Sequence, residues 1–204
     1  MCGTYRLGHE GALDWNLCVK ISLITPDGKQ LKNGNRTTAM RWARLLRRVG
    51  HQVHVTNDYD GRAVDLLIAL HAWHSAKAVQ RYRCHAPKGP LVVGLGGTDV
   101  NTFLKSDRQI TLSTMKAADA LICLHDLVGE ALPPALWGRL NVVRQSATPL
   151  SVTRIPSKRH FDICVIGHLR DEKDPFRAAL AARQMPDNSS LRVIHLGKAT
   201  TAKF

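Results

Sequence analysis

The run Leu66-Leu67-Ile68-Ala69-Leu70 most constrains the fold, because it contains no polar side chain. A strand with one wet face alternates apolar and polar residues. A strand that is apolar throughout is buried on both sides, as in a parallel sheet covered by helices. Similar runs recur along the chain: Val19–Thr25, Gln52–Val55, Pro90–Leu95, Ala120–Leu124 and Leu140–Val143. Helical patterns separate most of them. Thr37 or Thr38 caps a helix to about Val49, with Trp42, Leu45, Leu46 and Val49 on its apolar face and Arg41, Arg44, Arg47 and Arg48 on the other. Further helices are expected over Ala76–Arg83, Asp107–Ala118 and Asp126–Leu132, the last stopped by Pro133-Pro134. Strands alternating with helices predict an α/β, Rossmann-like domain built on a parallel sheet.

The boundaries follow from pattern loss. Residues 1–17 carry no period and read as a loose leader, and 18–145 hold the alternating elements. Residues 146–160 are rich in Ser, Pro and Thr and read as a linker. A second unit starts at 161, with a strand at Asp162–Ile166, a helix from Pro175 to about Gln184 and a strand at Leu191–Leu196. Two strands cannot sustain a core, so the 161–204 segment reads as the beginning of a second Rossmann-like domain, cut short at its C-terminal side.

Composition narrows the function. A chain that is 44% hydrophobic and 22% charged can bury a core. No apolar run approaches the length of a membrane span, and the N-terminus lacks the apolar core of a signal peptide. Five scattered cysteines without a CxxC pair argue for a reducing cytoplasm and against a disulfide framework or zinc site. A formal charge of +13 suits either nucleic acid or small anions such as nucleotides and phosphates. Aromatics make up 5% and are not interleaved with the basic residues, which puts nucleic acid second.

The stretch FDICVIGHLRDEK, Phe161–Lys173, has the order of a phosphate site: buried strand, Gly167, cationic loop, helix. The first domain offers Gly34, Asn35 and Arg36 in a polar loop. There glycine permits close backbone approach, and its neighbours add a donor and a cation. His71 ends the central strand, and Thr98 and Asp99 follow Gly96-Gly97. His71 and Asp99 read equally well as backbone caps or as groups beside a ligand.

Several strings taken together carry a resemblance: Lys32–Ala39 with Arg41-Trp42-Ala43, Gly50-His51, Ala69-Leu70-His71, Gly97-Thr98-Asp99, Gln145-Ser146-Ala147, and Gly167-His168-Leu169-Arg170 with Glu172–Arg177. From about Lys20 to about Ala199 the chain resembles family-4 glycosyltransferases of the two-domain GT-B type, in the selenosugar synthase branch of selenoneine biosynthesis. The resemblance implies transfer of N-acetylglucosamine from UDP-N-acetylglucosamine to selenophosphate, forming a selenium–carbon bond and releasing UDP. It implies no metal and no other cofactor, with a nucleotide sugar and an anionic acceptor as the partners. In that family a Gly-Arg-Leu and a following lysine hold the donor diphosphate. Gly167 and Lys173 match, His168 stands at the arginine position, and Arg170 is the cation two residues on. His71 and Asp99 are the implied catalytic residues. Gly34, Asn35, Arg36 and Thr98 line the implied acceptor cleft. An acidic motif that completes the family's donor site does not occur within residues 1–204, which predicts poor turnover by this chain alone. Three other functions compete: a family-4 transferase with an oxygen acceptor, a non-catalytic nucleotide-binding module, and a basic nucleic-acid-binding module.

Overall fold

A computed structural model describes residues 18–26, 34–153 and 155–199. The expected leader, and the first loop as far as Asn33, lie outside these residues. The chain divides into two compact units, Met1–Ser146 and Ala147–Phe204.

The first unit contains β1 (Lys20–Ile24), α1 (Gly34–Arg48), β2 (Gln52–Thr56), β3 (Leu66–Leu70) and α2 (Ala76–His85), then β4 (Leu91–Gly94). It continues with the single turn α3 (Leu104–Ser106), α4 (Arg108–Ala117), β5 (Ala120–Cys123) and β6 (Leu140–Val142). All strand pairs are parallel, in the order β2-β1-β3-β4-β5-β6. This is a Rossmann-like α/β sheet. From β1 the chain steps outward to β2, and from β3 it runs the other way. Because crossovers keep one hand, that reversal sends α1 to one face and α2 and α4 to the other.

The strands bear this out by alternation. Ile21, Leu23, Ile68 and Leu70 pack with Ala39 and Ala43 of α1. Leu67, Ala69, Leu91, Val93, Leu121 and Cys123 pack on the opposite face with Val79, Tyr82 and Met115. Leu23, Leu67, Leu91 and Leu121 are fully buried, each worth about 2 kcal/mol by area. The expected apolar face of α1 shifts. Ala39, Trp42, Ala43 and Leu46 meet the sheet, whereas Leu45 and Val49 are exposed. Two alanines let the helix axis approach the strands, and the larger Leu45 would hold it away.

Other elements also differ from expectation. Gly34, Asn35 and Arg36, expected in a loop, form the first turn of α1. Asp126–Ala131 and Pro134–Arg139 are 3-10 turns rather than α-helix. Asp99–Phe103 is a π-helical turn that no periodicity announced. Among the described residues no helix is long and apolar enough to cross a membrane.

The second unit holds the parallel pair β7 (Phe161–Ile166) and β8 (Leu191–Leu196), with α5 (Arg177–Ala182) between them in sequence. Phe161, Ile166 and Leu196 remain exposed. Between β6 and β7 the described residues form no helix or strand, as the composition of 146–160 predicts.

Cys18, Cys84 and Cys164 are exposed free thiols, and Cys123 is a buried one. Burial pushes the Cys123 thiol pKa up, against smaller opposing pulls from backbone hydrogen bonds at His125 and at Cys123 itself. A thiol reagent at about pH 8 should label Cys18, Cys84 and Cys164 at once and Cys123 only on unfolding. Rapid native labelling of Cys123 would mean that the layer beneath β5 opens.

Candidate functional site at the carboxyl ends of the strands

In an open parallel sheet the crevice lies beyond the strand carboxyl ends, where the strand order reverses. Here that point lies between β1 and β3. Thr25 follows β1 and is fully buried, and its hydroxyl has no partner among the described residues. His71 follows β3 at φ 71°, a left-handed conformation that a non-glycine residue seldom adopts. Strain of this kind persists only where the surroundings over-determine it.

Asp99 does the determining. Its carboxylate is wholly buried. Oδ2 accepts from the amides of Ala72 at 2.9 Å and Gly96 at 2.8 Å. Oδ1 accepts from the Trp73 amide at 2.9 Å and lies 2.8 Å from His71 Nδ1. The carboxylate thus ties the turn after β3 to the loop after β4. A Cβ on Gly96 would stand 3.2 Å from the His71 ring, closer than an ordinary van der Waals contact.

The bond to Asp99 sets the imidazole tautomer. Nδ1 carries the proton toward the carboxylate and so has no lone pair for the His74 amide, 3.2 Å away. Nε2 is then the acceptor, and Thr98 Oγ1 donates to it at 2.7 Å. His71 is 2% exposed and Thr98 is half-buried. The group presented outward is therefore the Thr98 hydroxyl, and His71 and Asp99 position it from below.

An aromatic wall stands beside this chain of bonds. Trp73 stacks on Phe103 with ring centres 4.2 Å apart and planes 7° from parallel. His74 lies 4.3 Å from the His71 ring. The π-helical turn Asp99–Phe103 brings Phe103 here, as such turns often do at functional sites. The Trp73 indole N–H is buried and unpartnered among the described residues. No expectation was attached to Trp73, His74 or Phe103. The signal available was Gly-Gly-Thr-Asp after an apolar run, which marks the loop but not the aromatic side chains it gathers.

Next to this wall, at the ends of β4 and β5, lies a cavity of about 440 Å³ whose lining includes Gly96, Gly97, Val100, Leu124 and Val128. Among the described residues no three His, Cys, Asp or Glu side chains gather as metal ligands would.

Of the other first-unit residues singled out above, Gly34, Asn35 and Arg36 sit at the amino end of α1, where amide groups lack helical partners. Gly34 has open space around it. Arg41 reaches the Ser146 hydroxyl at 2.7 Å and Arg47 donates to the Val53 carbonyl at 2.5 Å, so two members of the arginine face are engaged within the unit.

In the second unit Gly167 follows β7 at φ 156°, its amide bonded to Leu196 and its carbonyl to His195 Nε2 at 2.8 Å. His168 Nδ1 accepts from the Lys198 amide at 3.2 Å. Arg170 and Lys173 bracket a 3-10 turn, with the Lys173 amide bonded to the Arg170 carbonyl. Both side chains are exposed. Asp174 takes a left-handed conformation and pairs with Arg177. This unit thus gathers Gly167, His168, Arg170 and Lys173 on one loop, and the first gathers His71, Thr98 and Asp99.

No family model matches the chain, and a search of curated proteins finds no match.

Proposed function

We propose that this chain is a glycosyltransferase of the GT-B type that uses a UDP-sugar. By its resemblance the donor is UDP-N-acetylglucosamine and the acceptor selenophosphate. The observation that carries the reading is the pair of cationic and polar loops at strand carboxyl ends, one in each unit. In the second unit, Gly167 frees the backbone after β7, and His168, Arg170 and Lys173 follow within one turn. A diphosphate gains negative charge as its bond to the sugar breaks, and fixed cations stabilise that charge without a metal. Lys173 and Arg170 carry this role, on the loop that Gly167 and His168 begin.

The first unit supplies acceptor binding. Selenium of selenophosphate attacks the anomeric carbon, the selenium–carbon bond forms, and the electron pair of the broken carbon–oxygen bond leaves with UDP. An anionic nucleophile needs placement more than a general base. Gly34, Asn35 and Arg36 offer amides and a cation for that placement, and Thr98, held by His71 and Asp99, offers a hydroxyl.

Calorimetric titration tests this. UDP should bind, and Lys173→Ala should weaken it about tenfold, the loss expected for a charge-assisted contact to phosphate. Incubation with UDP-N-acetylglucosamine and selenophosphate should release UDP with a selenium-containing sugar detectable by mass. Failure of UDP to bind, or equal binding by Lys173→Ala, overturns the donor assignment. UDP binding without product leaves a nucleotide-binding module.

A further inference from the structure

The geometry points to a second small-molecule site in the first unit, the cavity at the ends of β4 and β5, which takes a neutral hydroxylated ligand such as a pyranoside. Its volume of about 440 Å³ suits a monosaccharide with room for a substituent. One wall is apolar, formed by Leu95, Val100 and Val128, with Leu124 and Leu127 exposed at the mouth. Such a wall receives the C–H face of a sugar ring.

Three polar side chains meet that wall: Asn101, His125 and Glu130. None of them makes a side-chain hydrogen bond to another described residue. By contrast, the nearby Asp126 is taken up by Arg144 at 2.6 Å. A carboxylate accepts from two hydroxyls, a carboxamide both donates and accepts, and an imidazole does either. This set reads vicinal hydroxyls. No lysine or arginine stands among the described lining residues, although the whole chain carries +13. The one charged group there, Glu130, repels oxyanions. In a chain so rich in cations, a site without one does not select phosphate.

Gly96 and Gly97 form the remaining edge. A Cβ on Gly97 would meet nothing closer than Asn101 Nδ2 at 4.0 Å, so the backbone there is open to a ligand. The inference needs no part of the transferase reading. It concerns residues remote in sequence from Gly167–Lys173 and a ligand of opposite character to a diphosphate.

The test is saturation-transfer NMR on the full chain with neutral methyl glycosides of glucose, galactose and mannose, and with a phosphate ester of one of them. At least one neutral glycoside should bind, and its phosphate ester should bind about tenfold more weakly because Glu130 repels it. Ala131→Trp fills the cavity from an exposed position. It should abolish the glycoside signal, and Glu130→Gln should narrow the gap between the two ligands. Thermal unfolding of both variants should match that of the parent. Preference for the phosphate ester, a signal unchanged by Ala131→Trp, or no binding across the panel overturns the proposal. UDP titration of the same samples separates the two readings. Glycoside binding without UDP binding sinks the transferase and leaves this site standing, and the reverse result sinks this site alone.

Discussion

Asp99→Ala is expected to destabilise the first unit by about 3–5 kcal/mol, because it removes the shared acceptor of several buried donors. The carboxylate is wholly buried and satisfies the amides of Ala72, Trp73 and Gly96 together with His71 Nδ1–H. Alanine leaves all four donors facing a void that water enters poorly. Each orphaned donor costs about 1–3 kcal/mol, and local relaxation recovers part of the sum. Asp99→Asn keeps one acceptor oxygen but turns an NH2 toward other donors, so an intermediate loss of about 1–3 kcal/mol is expected.

The loss should also be coupled to His71. That residue holds a left-handed backbone at φ 71° because Asp99 grips its ring and the two amides after it. With the grip removed the turn relaxes, and Thr98 loses the acceptor of its hydroxyl. A double-mutant cycle of Asp99→Ala with His71→Ala should therefore be non-additive by about 1 kcal/mol or more. Trp42, Trp73 and Trp137 lie in the first unit and the second holds no tryptophan, so the change in tryptophan fluorescence in a urea titration reports these three side chains. An unchanged midpoint in Asp99→Ala would show that these hydrogen bonds contribute nothing.

The parallel sheet was legible because its signal is local. Leu66–Leu70 has no polar residue, and a strand of that kind has only one environment. The apolar stripe of α1 was half legible. Trp42 and Leu46 were found, but Ala39 and Ala43 were passed over for the bulkier Leu45 and Val49. Hydrophobic size is a poor guide where close approach decides the face. His71, Thr98 and Asp99 could each be named from their position after a strand. Their mutual hydrogen bonds could not, since they join residues 27 and 28 positions apart through the register of β3 with β4. The π-helical turn at Asp99–Phe103 was invisible for another reason. It is a slip of one residue in hydrogen bonding, fixed by tertiary contacts of Phe103 with Trp73 and His71 rather than by composition. The cavity polar set, Asn101, His125 and Glu130, comes from two separate loops and shares no motif.

In the second unit the largest single effect is expected from Gly197→Ala. Gly197 follows β8 where the chain passes Gly167, and a Cβ there would overlap the Gly167 carbonyl oxygen and stand 2.6 Å from its carbon and 3.1 Å from His168 Cα. All three obstacles are backbone, so no rotamer change can relieve them. The strand ends must separate, and the bonds that cross at this point go with them: Gly167 amide to Leu196, Leu169 amide to Lys198, and His195 Nε2 to Gly167. The strain and the lost bonds together amount to about 2–4 kcal/mol. Hydrogen exchange should report faster exchange at the Gly167 and Leu169 amides with the first unit unaffected. Gly138→Ala, at a site with nothing within 4 Å of the added carbon, is the control and should change neither unit by more than about 0.5 kcal/mol. The loop opened in this way carries His168, Arg170 and Lys173. If it holds a diphosphate, Gly197→Ala abolishes UDP binding although no cation has been touched. Normal exchange at Gly167 would refute the close approach, whereas fast exchange with normal UDP affinity would move the nucleotide away from this loop.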